Sequence, residues 1–445
     1  MGIVDLILFP FYVFIFNLIF SARRKRIKDP VLQKYHKRAF WIKIMSTLAF
    51  TFLCVYFVGG DTLALYYPEG VNIAHLTISD PSNIKWIFLP AKEFDSSLAA
   101  IGASVPYFTS EGNFFVIRLV ALFSFFSFGS YLVINLFFAM LAFSGIWRLY
   151  KFFYEQYPHL HKRLAIAILY LPTFVFWTSG ILKEPICIAA LGWLTYAFFN
   201  AFHMKKSFIK NVIIIIVGGF VLYMVKAYIL FAYLPFFILF IVVKKVGFLK
   251  NKILKFFIWL VFILVGLVGF VLISDQLQQE MGSFALENLT DAVAKQQTFY
   301  KATAEVAESS FSLGVEYDGS KASLVKMAPA AIAATFFRPF LWESKKISTL
   351  FSSFESLAMM LLTIYVFFKV GPFNFMRSLF GNPMVFFCFF FSVLFALFVG
   401  ATTLNFGTLV RYKVPCLPFY IIAMFLILDN YNRKKLSVSS PPPTM

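Results

Sequence analysis

A chain of 445 residues that is 60% hydrophobic and 20% aromatic but only 14% charged, with a mean hydropathy of +0.79, lies outside the range of soluble domains. The net charge of +19 does not mark a nucleic-acid binder, because the basic residues sit in short loops that alternate along the chain with acidic ones. With 62 phenylalanines and no alternating ten-residue pattern, the chain reads as an all-α polytopic transmembrane helix bundle and not as a barrel.

Residues 3–20 form a first apolar run with no small-residue cleavage site behind it and Arg23-Arg24-Lys25-Arg26 at its end. It reads as retained, with its basic end cytoplasmic, while Asp5 and Pro10 leave open whether it spans or lies in the interface. The loop that follows carries nine basic residues from Arg23 to Lys43 against Asp29 alone, and is the strongest inside marker. The span at 39–58 then runs outward and delivers Asp61 to the far face. Residues 61–113 hold six acids against Lys85 and Lys92, the charge of an extracytoplasmic loop, and are long enough to be expected to hold a small folded cap. Residues 114–128, interrupted by Arg118, are expected along the membrane surface or as a half-span.

Spans follow at 131–150, 164–178, 186–202, 211–224, 229–243 and 256–274, with inside loops marked by Arg148, Lys162, Lys205 and Lys245. A second long outer loop, 275–349, is expected to hold amphipathic helices. Spans at 350–368, at 383–399 and from 414 onward complete about ten or eleven crossings of a single polytopic domain, 1–432, before a cytoplasmic tail at 433–445. The two outer loops, 61–113 and 275–349, contain fifteen of the 21 acidic residues, so the acidic side of the protein is one side. The cysteines Cys54, Cys187, Cys388 and Cys416 lie in or beside apolar segments without CxxC spacing, and read as small hydrophobes. His159 and His161 belong to a basic inside loop and read as solvated.

Loop charge alone thus brings Asp61, Tyr66, Tyr67, Lys183, Glu184, Lys226, Arg338, Glu343, Asn405, Arg411 and Lys413 to the outer face. Each has a plain structural alternative: Asp61 could cap a helix, Lys183 and Glu184 could satisfy each other, Arg338 and Glu343 could bridge, and Arg411 and Lys413 could bind headgroups. As a group they suit an anionic, lipid-anchored substrate, above all a polyprenyl phosphate carrying a sugar. Cations would hold the phosphate, and Asp61 would take the proton of an acceptor hydroxyl.

A carboxylate just after an outward span, followed by tyrosines, resembles the opening of the first external loop in membrane glycosyltransferases of the GT-C superfamily. The stretches 176–184, 337–343 and 405–415 are similar to segments of bacterial polytopic proteins of envelope-polysaccharide assembly. The resemblance implies a catalytic Asp61, with Tyr66, Tyr67, Lys183, Glu184, Lys226, Arg338, Glu343, Asn405, Arg411 and Lys413 as substrate contacts. It implies a polyprenyl-phosphate-linked sugar as donor and a glycan or lipid as acceptor, in the cytoplasmic membrane of a prokaryote. One acid stands where an adjacent pair would favour a divalent metal, so a divalent metal is open but unsupported and no cofactor is assigned. A polysaccharide polymerase or ligase, with an arginine-dominated site, and a lipid-linked sugar flippase, with charges near the midplane, are the alternatives.

Overall fold

The computed structural model describes residues 3–89, 110–246, 311–315, 321–344 and 347–439. Among them every regular element is helical, and seven helices are long and apolar enough to cross a membrane, eight if the bent pair Phe406–Tyr412 and Leu417–Leu436 is one span. The chain is a multi-pass, all-α membrane protein. It divides into two compact units, Met1–Ala227 and Tyr228–Met445.

The first unit is built on helix α6 (Tyr131–Gln156), which is buried along most of its length and touches α1 (Ile3–Lys25), α2 (Pro30–Leu53), α5 (Glu111–Ser127), α7 (His161–Leu169) and α9 (Lys183–Phe202). Small residues let α6 and α9 meet backbone to backbone: a Cβ on Gly145 would lie 2.3 Å from the Ala189 carbonyl oxygen, and one on Gly192 2.0 Å from that of Gly145. Lipid tails are as apolar as leucine, so close van der Waals contact of this kind, and not exclusion of water, holds membrane helices together. Helix α1 runs from Asp5, which accepts a hydrogen bond from the Ser130 hydroxyl, to Arg23, Arg24 and Lys25, so both ends complement the helix dipole.

Helix α2 starts nine residues before the expected span at 39–58. Asp29 caps it by accepting from Val31 N at 2.8 Å, and Pro30 occupies its first turn. Lys34, Lys37 and Arg38 are thus helical and not in a loop, and Lys43 is buried. Within 61–113, residues Thr62–Tyr66 and α3 (Tyr67–Ser79) form a helix lying against α5, with Gly70 pressed on Val120. The short α4 (Lys85–Phe88) follows, and the rest of that loop, 90–109, lies outside the described residues. Arg118, the charge inside α5, is neutralised by Glu111, donates to the Leu89 carbonyl and stacks on Phe114 at 4.4 Å.

The expected span at 164–178 is two short helices, α7 and α8 (Pro172–Trp177), parted at Tyr170–Leu171 because Pro172 cannot continue a helix. Helix α10 (Phe208–Val246) covers both 211–224 and 229–243, but Lys226 breaks it with φ −153° and ψ 76°. Its halves, at 1.5 Å per residue, are each about one membrane thick. The expected span at 256–274 and most of the second outer loop lie outside the described residues, which completes the difference from ten or eleven crossings.

In the second unit, α11 (Lys321–Phe337), α14 (Pro383–Thr402) and α16 (Leu417–Ser439) pack in sequence, with α12 (Ile347–Val370) and α13 (Pro372–Gly381) against them. Rings fill the core. Tyr233 meets Phe387, Phe391 and Phe419 at 5.3, 5.2 and 5.8 Å, and Phe336 stacks on Tyr420 at 4.0 Å. Such pairs contribute about 0.5–1.5 kcal/mol each beyond area burial, which gives the phenylalanine content a packing role.

Candidate functional site

Asp61 stands where two unusual turns meet. A π-helical turn, Cys54–Val58, closes on Gly59, and a second, Thr62–Tyr66, opens directly after Asp61. Gly59 and Gly60 take φ of +62° and +70°, which an L side chain adopts only with strain, and this requirement is what the glycine pair in the sequence meets. Wide turns of this kind, each holding one residue more than an α turn, are rare and recur at functional sites. The Asp61 carboxylate is half-buried and makes no capping bond to the turn it precedes. Capping therefore does not explain the acid.

The two tyrosines after it are held by structure. Tyr66 is buried and donates to the Asn113 side chain at 2.9 Å, and Tyr67 donates to the Gly129 carbonyl at 2.7 Å, fixing the π turn on α5 and on the α5–α6 connection. Thr62 and Tyr131 share a buried hydroxyl contact at 3.1 Å.

Glu184 and Lys226 meet at 2.7 Å with side chains 2% and 5% exposed. Their meeting follows from chain geometry. Helix α9 descends from Lys183, the connection at 203–207 turns, and the first half of α10 climbs 18 residues back to its break, so the two far ends of an antiparallel hairpin coincide. Gly112, at the start of α5, fits against this end: a Cβ there would stand 2.7 Å from the Val225 carbonyl oxygen and 3.3 Å from Lys183 Nζ. Tyr66, Lys183, Glu184 and Lys226 thus gather around Gly112–Asn113, and the π turn ties Asp61 to the same neighbourhood through Tyr66.

Arg338, Glu343, Asn405, Arg411 and Lys413 belong to the second unit. Arg338 grips Glu343 with Nε at 3.1 Å and a second, shorter bond, donates to Ser312 O at 2.8 Å, and lies over the rings of Phe311 and Phe406 at 4.5 and 5.3 Å. Asn405 caps α15 (Phe406–Tyr412) by accepting from Thr408 N at 3.3 Å. Lys413, fully buried, donates to the Arg338 carbonyl at 3.1 Å and to Ser356 Oγ at 2.9 Å. Arg411 is half-buried over Tyr412 at 5.3 Å.

Sequence reasoning missed Lys43 and Asn135. Lys43 Nζ donates to the Val175 carbonyl at 3.1 Å and to Thr178 Oγ1 at 2.5 Å. Asn135 bridges Thr51 at 3.0 Å and the Ile181 amide at 2.8 Å, holding the turn after α8 inside the unit. The helix-start signal Asp29-Pro30 would have put Lys43 inside a helix. His161, expected to be solvated, pairs through Nδ1 with Tyr35 at 2.9 Å. All four cysteines are buried thiols. Among the described residues no three His, Cys, Asp or Glu side chains come together as a metal-ligand set. No family model matches the chain, and no curated protein or solved structure shows significant similarity to it.

Proposed function

We propose that the protein is a membrane glycosyltransferase that moves a sugar from a polyprenyl-phosphate donor to a glycan or lipid acceptor at the outer face of a prokaryotic cytoplasmic membrane. The observation that carries the reading is the placing of Asp61: a half-buried carboxylate between two π turns, next to a glycine pair with positive φ. In the reaction Asp61 accepts the proton of the acceptor hydroxyl, the freed oxygen bonds to the anomeric carbon, and the bond from that carbon to the phosphate oxygen breaks with its electron pair staying on phosphate. Lys183, at the hairpin end beside Gly112, would balance the leaving phosphate, with the Lys226–Glu184 pair beside it. A lipid-linked sugar transporter is the second reading, favoured by the break in α10 beside a buried ion pair.

Asp61→Asn keeps the shape but cannot take the proton. Product formation by the purified variant in nanodiscs should fall by about 10²–10⁴-fold while donor binding and melting temperature hold. A folded, fully active Asp61→Asn would sink the transferase, and sugar-lipid movement across proteoliposomes without new glycosidic product would put the transporter in its place.

A further inference from the structure

In the first unit a groove of about 760 Å³ runs between α5, α6, α9 and the first half of α10. Most of its wall is apolar, including Leu119, Leu141, Val217 and Val221, and Ile213 and Val217 are more than half exposed at its rim. Its end on the side assigned to the cytoplasm is cationic, with Arg148, Lys206 and Lys210, and no carboxylate is among the described residues that line it. Along α9 the lining from Ile186 to Asn200 covers about 21 Å, more than half of a hydrocarbon core about 30 Å thick, so the groove has room for an extended acyl chain.

Arg148 is held in place by rings. Its guanidinium lies 4.4 Å from the centre of Trp193 and 5.2 Å from that of Tyr196, and Trp193 is fixed by a 2.9 Å bond to Ser144. Among the described residues Arg148 is in no ion pair, because Glu155 nearby accepts from Tyr196 at 2.9 Å and pairs with Lys151 at 3.5 Å. Stacking of this kind leaves the edge of the fork, which carries the donors, available to an oxyanion. Helix α10 adds its positive end there, with no acid in its first turn.

We propose that this groove binds one anionic phospholipid, its phosphate between Arg148, Lys206 and Lys210 and an acyl chain along Leu119, Leu141 and Val217. Three cations beside one carboxylate, Glu155, which Lys151 already pairs, select a net negative headgroup over a zwitterionic one, whose own cation would be repelled. The apolar wall opening at the rim selects a lipid over a soluble phosphate. The site is independent of the outer-face chemistry.

The test uses the full-length protein, delipidated in detergent and titrated with phosphatidylglycerol, phosphatidylcholine or glycerol phosphate, with bound lipid counted by native mass spectrometry. Phosphatidylglycerol should bind at least tenfold tighter than phosphatidylcholine, and glycerol phosphate should not compete. Lys206→Gln with Lys210→Gln, both exposed and safe for folding, should lose about tenfold in phosphatidylglycerol affinity. Val217→Trp should weaken binding with every cation in place. Equal binding of the two lipids, an unaffected double variant, full binding by Val217→Trp, or competition by glycerol phosphate would each overturn the proposal.

Discussion

The buried pair Glu184–Lys226 closes the α9–α10 hairpin, and cutting it is the sharpest test of that geometry. The two charges meet at 2.7 Å with side chains at most 5% exposed, so removing one leaves the other without its counter-charge in a poorly hydrated place. Such a loss costs about 3–5 kcal/mol, whereas replacing both partners by neutral groups of similar shape is close to neutral. Glu184→Gln and Lys226→Met should therefore each lower stability by that amount, and the double variant should recover most of it. With singles of about 3–5 kcal/mol each and a nearly neutral double variant, the expected coupling is about 6–10 kcal/mol, above the roughly 0.5–3 kcal/mol usual for residues in contact. Unfolding followed by tryptophan fluorescence in one detergent, with the four proteins side by side, measures it. Singles that match the wild type, or a double variant that loses the sum of both, would refute the pairing.

Gly192→Leu should disrupt the unit most among the glycine variants, because the first added carbon already meets the Gly145 backbone at 2.0 Å, and folded yield should drop sharply while Gly219→Ala, with only Leu194 nearby at 4.0 Å, expresses normally. Topology is tested by cysteine labelling: a cysteine at position 61 should react from outside intact cells and one at position 162 should not. Asp29 predicts an acid limb. The Tyr154 hydroxyl at 2.5 Å, then the Val31 and Leu32 amides and His161, hold its carboxyl below the usual carboxylate range. A lowered folded value means this contribution is fully present above the unfolded value near 4 and fades as pH falls through the folded one. Melting temperature should then drop less between pH 5 and pH 3 in Asp29→Asn than in the wild type.

How much of this was legible in the chain follows the range of the signal. Apolar runs and basic loops are local, and they announced an all-helical, multi-pass protein correctly. Boundaries failed where charge was mistaken for loop: Lys34, Lys37 and Arg38 hid the start of α2, although Asp29 and Pro30 announced it. The run at 164–178 was apolar enough to read as a span, but Pro172 divided it. The π turns around Asp61 were illegible apart from the glycine pair, because no residue type marks a wide turn.

The outer-face charges show why the site was harder to read than the fold. From sequence, each cation was a candidate ligand for phosphate. The buried Lys413 instead serves a helix end, donating to Arg338 O and Ser356 just after α11, and Lys43, which the sequence assigned to an inside loop, does the same for Val175 O and Thr178 at the end of α8. A helix broken at membrane depth exposes carbonyls that lipid cannot satisfy, and a lysine with a neighbouring hydroxyl supplies the missing donors and complements the negative end of the dipole. Arg338 is likewise engaged, by Glu343, Ser312 and two rings. None of these partners is a sequence neighbour of its cation by less than five positions, and most lie in another helix, so no local pattern could announce them. A membrane protein that breaks its helices needs buried cations for its own backbone. The fold thus claims Lys43, Lys413 and Arg338 for its own backbone and for Glu343, which narrows the cations left to weigh as ligands.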